Sequence, residues 1–202
     1  MKKWKNKVLK HFLNNNMNLT KDSDNTKAIE ALTFLNNKIQ KAEIEFKKTG
    51  KKVDLGFRNI VLLGPVGVGK TYIAKTLIKH DYFKDESEFK QELISGALKI
   101  RSQSQWDIPL SYYPLLMLAK RKLVIYDDYG VSDLTEAYIE KMLYWLNGRR
   151  QRELITVFTS NLTLEQIHAR EKRIASRILE NAVVIEMKGE DRRTQDNQVI
   201  YS

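Results

Sequence analysis

Asn59-Ile60-Val61-Leu62-Leu63-Gly64-Pro65-Val66-Gly67-Val68-Gly69-Lys70-Thr71 is the stretch that decides the fold. The run from Asn59 to Leu63 is short and apolar and reads as a buried strand. Thr71 to Lys79 follows it and sets Ile73, Ala74, Leu77 and Ile78 on one helical face. Between them the chain must turn sharply, and Gly64, Gly67 and Gly69 permit backbone paths that a side chain would obstruct. The loop N–H groups then converge at the positive end of the helix, where an anion is stabilised. Gly64-x-x-x-x-Gly69-Lys70-Thr71 is a complete P-loop pattern. Lys70 supplies a point charge for β- and γ-phosphates, and the Thr71 hydroxyl ligates Mg²⁺. The competing reading is a chance glycine-rich turn, but the strand before and the helix after are the context the pattern requires.

Downstream, Leu123-Val124-Ile125-Tyr126 is a second strand that ends in Asp127-Asp128. A parallel sheet builds its site at the carboxyl ends of its strands. Asp127 is therefore assigned to Mg²⁺ through water, and Asp128 to polarising an attacking water. Leu154 to Thr159 is a third strand and runs into Ser160-Asn161. The Asn161 amide can orient that water, close an Asx turn or helix cap, or do both. Thr163 with Gln166 is a capping-box signature for the next helix. Helices are expected over Phe89–Leu98, Asp133–Leu146 and Glu171–Glu180, and a last strand over Val183–Met187. A strand between the first two helices is expected, with only His80–Phe83 as a poor candidate. Strands alternating with helices give an α/β fold with a parallel sheet.

The whole chain has 202 residues, 42% hydrophobic and 30% charged, with a formal charge of +10. That suits one α/β domain with a short appendage and a polyanionic partner. Residues 1–50 hold 11 lysines against five acids. Ala28, Ala31, Leu32, Leu35, Ile39, Ala42 and Phe46 mark a helix there, which Gly50 would stop. The expected division is a basic helical extension over 1–50 and a nucleotide-binding domain over 51–202. With no cysteine there is no disulfide framework, thiolate zinc site or thiol nucleophile. His11, His80 and His168 have no metal-site spacing. The start MKKWKNKVLKHFL has no clean apolar run, so no signal peptide is read. No segment approaches the roughly 18 apolar residues of a membrane helix, and a cytoplasmic location is expected.

The order Gly-Pro-Val-Gly-Val-Gly-Lys-Thr, Val-Ile-Tyr-Asp-Asp-Tyr-Gly, Leu-Asn-Gly-Arg-Arg, Thr-Ser-Asn-Leu-Thr-Leu-Glu-Gln-Ile and Arg-Ile-Ala-Ser-Arg-Ile resembles the AAA+ ATPases of the DnaC/DnaI helicase-loader and IstB transposition-helper group. The likeness spans about Phe57 to Arg193. It implies that Gly64, Pro65, Gly67, Val68, Gly69, Lys70, Thr71 and Tyr72 bind ATP, and that Thr71 and Asp127 hold Mg²⁺. It makes Asp128 and Asn161 catalytic, Asn161 as sensor 1. It makes Arg177 an arginine finger acting on an adjacent protomer, with Arg173 the second candidate. Arg192 or Arg193 becomes a sensor-2 contact to the γ-phosphate. The chain ends nine residues after Arg193, which implies a reduced or absent lid.

The implied function is DNA-stimulated ATP hydrolysis by a DnaC-like loader. It would act as a homo-oligomer on single-stranded DNA and a replicative helicase. The alternatives are an IstB-like helper of a transposase, a P-loop small-molecule kinase, and a nucleotide-gated adaptor that does not hydrolyse. Candidate DNA contacts are Lys2, Lys3, Lys5, Lys7, Lys10, Arg149, Arg150 and Arg152. Trp106, Tyr112 and Tyr113 either stack on bases or pack internally.

Overall fold

A computed structural model describes residues 23–91 and 121–192. The element order is helix α1 (Ser23–Thr49), strand β1 (Asn59–Leu63), helix α2 (Lys70–Leu77), strand β2 (Tyr82–Asp85), strand β3 (Leu123–Asp127), helix α3 (Glu136–Gln151), strand β4 (Ile155–Ser160), helix α4 (Leu164–Arg170), helix α5 (Lys172–Leu179) and strand β5 (Ala182–Glu186). Residues 86–91 are also helical.

The strands form one sheet in the order β2-β3-β4-β1-β5. All of its pairings are parallel. Every residue of β1, β3 and β4 is buried, as expected of central strands covered on both faces. Their side chains alternate between two cores. Ile60, Leu62, Leu123, Ile125 and Val157 face a core closed by α1 and α2. Val61, Leu63, Val124, Tyr126 and Phe158 face the other, with Phe89 and residues of α3, α4 and α5. Tyr126 lies at the centre of that second core, with ring centroids of Phe89, Phe158 and Trp145 at 5.1, 5.6 and 5.8 Å.

Four strands lie within one residue of their expected bounds. The exception is β2, which starts two residues after His80 and has only half-buried side chains. An edge strand with one partner gives a weak apolar signal, which is why the sequence hides it. Helix α3 starts later than expected, at Glu136, because the Thr135 side chain caps it by accepting from the Tyr138 N–H. Leu93, Ile94, Ala97 and Leu98 lie outside the described residues.

Helix α1 has a bearing on the division at residue 50. It ends as expected: Gly50 has φ 69° and its N–H donates to the Phe46 carbonyl at 2.8 Å. Its apolar stripe, however, belongs to the core of the sheet. Ala28, Leu32, Leu35 and Ile39 are buried with Ile60, Leu62 and Ile73. No helix among the described residues is long and apolar enough to cross a membrane.

This packing makes a measurable claim about α1. Leu32→Ala should cost roughly 2–5 kcal/mol in a urea unfolding titration. Phe34→Ala, on the same helix but 67% exposed, should shift stability by about 0.5 kcal/mol or less. Equal effects would mean that α1 is not part of the core.

Candidate functional site

The sheet order places β4 between β1 and β3, so three carboxyl ends stand side by side. Leu63 is in register with Ser160 of β4 and with Glu186 of β5. The chain leaves Leu63 through Gly64, whose φ is 150°. A Cβ there would lie 2.3 Å from the Met187 carbonyl oxygen. Gly67 has φ 77° and Gly69 φ 96°. Val68 is fully buried and anchors the loop in the core. Gly69 is the N-cap of α2, with no side-chain cap and no acid in the first turn. The first N–H groups of α2 therefore have no side-chain acceptor at the cap and suit an anion.

Lys70 is 5% exposed. Its ammonium donates to the carbonyls of Gly64 and Pro65 at 2.8 and 2.7 Å, and to Asn161 Oδ1 at 2.7 Å. The cap and turn assigned to Asn161 as an alternative are formed by other residues. The cap of α4 is Thr163, with both halves of its capping box formed with Gln166. The turn before it is closed by Ser160 Oγ, which accepts from the Leu162 N–H at 3.1 Å. Asn161 is thus free of capping and faces the P-loop lysine.

Thr71 Oγ1 donates to Asp127 Oδ1 at 2.9 Å, and Thr159 Oγ1 donates to the same oxygen at 2.5 Å. Asp127 is 4% exposed. Burial pushes its carboxyl up from the ordinary value, and the hydroxyls of Thr159 and Thr71 pull it back. Thr159 also accepts the Asp128 N–H at 3.0 Å. It therefore positions both acids, a role that reading Thr159-Ser160-Asn161 as a strand end missed. The available signal was a run of polar side chains, Thr159 and Ser160, at the end of a strand buried throughout. Asp128 has φ 55°, unusual for a residue with a Cβ, and is half-buried. Tyr72 is half-buried and packs against the α1–α2 core.

The predicted arginines stand elsewhere. Asn59, the first residue of β1, donates to the carbonyls of Arg177 and Ile178 at 2.9 and 2.8 Å. Arg177 therefore lies at the amino edge of the sheet. Five residues of β1 separate that edge from Gly64, a rise of about 16 Å along the strand. Arg177 Nε donates to Asn147 Oδ1 at 2.8 Å. Arg173 is exposed and pairs with Glu171 at 2.9 Å. The partners of these two side chains, Asn147 and Glu171, lie apart from Lys70, Thr71, Asp127 and Asp128. Arg192 touches the loop through its backbone, its N–H donating to the Gly67 carbonyl at 3.2 Å. Arg193 lies outside the described residues, as do Lys2, Lys3, Lys5, Lys7, Lys10, Trp106, Tyr112 and Tyr113.

Arg149 corrects an expectation. It is 2% exposed and cannot meet DNA. Its guanidinium donates to Thr156 Oγ1 at 2.8 Å and to the carbonyls of Arg121 and Ile155 at 2.8 and 2.5 Å. Burial lowers its pKa to about 9. It satisfies backbone acceptors where β3 and β4 begin. Arg150 pairs with Glu180 at 2.9 Å, and Arg152 is exposed.

The donor set fits the groups the pattern implies. A glycine cradle, a buried lysine and the amino end of α2 suit a polyphosphate. Thr71 and Asp127 converge as Mg²⁺ ligands do when the ion keeps waters and phosphate oxygens for its other positions. Among the described residues no three His, Cys, Asp or Glu side chains cluster as a metal site.

A family model described as IstB-like ATP binding protein matches residues 10–199. No curated protein matches the chain. Among solved structures, a crystal structure of DnaI is 22% identical, covers 89% of this chain and 89% of its own, and has a TM-score of 0.59. The DnaC helicase loader is 19% identical, with coverage of 83% and 92% and a TM-score of 0.59. AMPPCP-bound DnaA from Aquifex aeolicus is 18% identical, with coverage of 82% and 47% and a TM-score of 0.58. At these identities the likeness is one of fold.

The two tight glycines should respond differently to a methyl group. Alanine at either carries roughly 1–2 kcal/mol of backbone strain. At Gly64 it also meets the Met187 backbone, which cannot turn away. At Gly67 the obstacle is the Asp191 carboxylate, 1.7 Å from the added carbon but on a side chain that can rotate. Gly64→Ala should lower the melting temperature more, and adding Asp191→Ala should recover part of the Gly67→Ala loss but none of the Gly64→Ala loss.

Proposed function

The chain belongs to the IstB-like ATP-binding proteins, AAA+ ATPases of the DnaC/IstB group, and from that premise we propose that it hydrolyses ATP within an assembly of its own copies and couples nucleotide state to DNA and a protein partner. The observation that carries this reading is the convergence of Lys70, Asn161, Thr71 and Asp127 where β1, β3 and β4 end.

Gly64 to Tyr72 would bind the triphosphate, with loop N–H groups on its oxygens and Val68 holding the loop against the core. Lys70 would exchange its Asn161 contact for a γ-phosphate oxygen. Asn161, so released, would orient water. Thr71 and Asp127 would hold Mg²⁺, which supplies charge neutralisation across the β- and γ-phosphates. Asp128, turned out of the sheet by its left-handed backbone, would accept the water proton. Arg177 cannot reach its own Lys70 across the depth of the sheet, so a finger on this residue acts only on a neighbouring copy. Arg192 or Arg193 would add the sensor-2 contact, since the Arg192 backbone already lies on Gly67.

The role in replication is proposed as that of a helicase loader. It is supported by the likeness to the DnaC helicase loader over most of both chains, and by a +10 charge suited to single-stranded DNA. A transposition helper is the second reading, supported by the match to the IstB-like ATP-binding family. A small-molecule kinase fits less well, because it leaves Asp128 and Asn161 without a role.

Fluorescent-nucleotide titration and phosphate release test these roles together. Lys70→Ala should abolish ATP binding. Asp128→Asn should bind ATP normally and lose turnover by about a hundredfold. Arg177→Ala should bind ATP and lose about a thousandfold of DNA-stimulated turnover, and mixing it with Lys70→Ala should restore part of the rate. Stimulation by single-stranded DNA should fall steeply with salt. Full biological activity in Asp128→Asn would replace hydrolysis with a nucleotide-gated adaptor.

A further inference from the structure

Glu86 is a fully buried acid that the mechanism above does not use. It follows β2 directly and opens the helical residues 86–91. Its Oε2 accepts the Ser132 N–H at 2.6 Å and the Gly130 N–H at 3.1 Å. Arg170, the last residue of α4, approaches the same oxygen at 3.8 Å. The Arg170 guanidinium also donates to the Ser132 carbonyl. Both backbone groups of Ser132 are therefore held by one buried ion pair.

The loop so held is the one that leaves Asp128. At its near end, Thr159 takes the Asp128 N–H through its hydroxyl, and the Tyr129 N–H donates to the Thr159 carbonyl at 2.8 Å. At its far end, Glu86 takes the Gly130 and Ser132 N–H groups, while the Val131 N–H between them donates to the Asp128 carbonyl at 3.3 Å. Gly130, with φ 111°, passes so close to Leu162 that a Cβ would lie 2.5 Å from its Cδ1. Leu162 follows Asn161, and Arg170 ends the helix that Asn161 precedes. A buried carboxylate is expensive unless paired and hydrogen-bonded. Burial pushes Glu86 up from the ordinary carboxylate value, and the Ser132 N–H, Arg170 and the Gly130 N–H pull it down. A neutral side chain would fill the space at lower cost, so the charge has a purpose in the loop it grips.

We propose that Glu86 and Arg170 are positioning residues: they clamp residues 129–132 and so hold the Asp128 carboxylate in a fixed direction relative to Asn161. The proposal rests on the reading of Asp128 as the group that activates water.

The test uses the full chain and two independent measurements. In phosphate-release assays, Glu86→Gln keeps an acceptor and removes the charge. It should lose about a hundredfold in turnover, the scale of a misplaced catalytic group, while affinity for a fluorescent ATP analogue stays within about twofold. Arg170→Gln should behave alike, and the double variant should be no worse than the poorer single one, because both act through one loop. Affinity falling together with turnover, or additive losses, would make the pair merely structural and overturn the proposal. Hydrogen exchange reads the clamp without any turnover. Glu86→Leu removes both acceptors and should speed exchange at Gly130 and Ser132 while Ile60 to Leu63 stay protected. If that variant fails to fold, Glu86→Gln is measured in the same way. Unchanged exchange at Gly130 and Ser132 overturns the proposal. If the unaltered protein does not hydrolyse ATP, the ATPase reading fails alone and the exchange result still decides the clamp.

Discussion

One carboxylate oxygen holds the site together. Asp127 Oδ1 receives the hydroxyl of Thr71 from the first turn of α2 and the hydroxyl of Thr159 from β4. Because β4 pairs with both β1 and β3, these two hydroxyls reach Asp127 from neighbouring segments and lock the three carboxyl ends in one register. A slip of one residue in either pairing would carry the hydroxyls to the opposite face of the sheet. The parallel register and the site geometry are thus one constraint. Lys70 and Asn161 extend it, since their contact links the same turn to the residue just past β4.

Besides Lys70, the charged side chains of Asp127, Glu86 and Arg149 are buried around this sheet, and each is tolerated for a different reason. Asp127 is surrounded by hydroxyl donors, which suit an acid that must stay available to a cation. One oxygen of Glu86, Oε2, receives two backbone N–H groups and lies beside a guanidinium. Arg149 faces carbonyls and a threonine, an arrangement that completes the hydrogen bonding of strand beginnings. Surface charge gives no hint of these roles. An arginine beside Arg150 and Arg152 in sequence looks like one member of a basic patch, yet helix geometry turns Arg149 inward while Arg152 remains exposed.

What the sequence made legible follows the range of the interactions. The P-loop is local chemistry: its glycines, lysine and threonine lie within eight residues, and the backbone path they permit needs no distant partner. The central strands announce themselves because both of their faces are covered. Legibility fails where a residue depends on something far along the chain. Thr159 acts on acids 31 and 32 residues away, and Glu86 on amides 44 and 46 residues away. Tyr82 to Asp85 became a strand only because β3 offers an edge. The helical period of α1 was plain, but periodicity reports that a face is buried and not what buries it.

The topology also sets where an arginine supplied in trans can stand. Helix α5 lies between β4 and β5 in the chain, and β5 must start again at the amino edge because it is parallel to β1. The end of α5 is therefore delivered to the edge that α2 leaves behind. Asn59 fixes it there by binding two of its carbonyls. An arginine at this point is separated from its own phosphate loop by the full height of the strands, and a guanidinium cannot span that depth through a filled core. The same parallel register that gathers Lys70, Thr71, Asp127 and Asn161 at one edge thus removes Arg177 to the other. Within one copy of the chain, a guanidinium at the amino edge and the phosphate loop at the carboxyl edge do not meet.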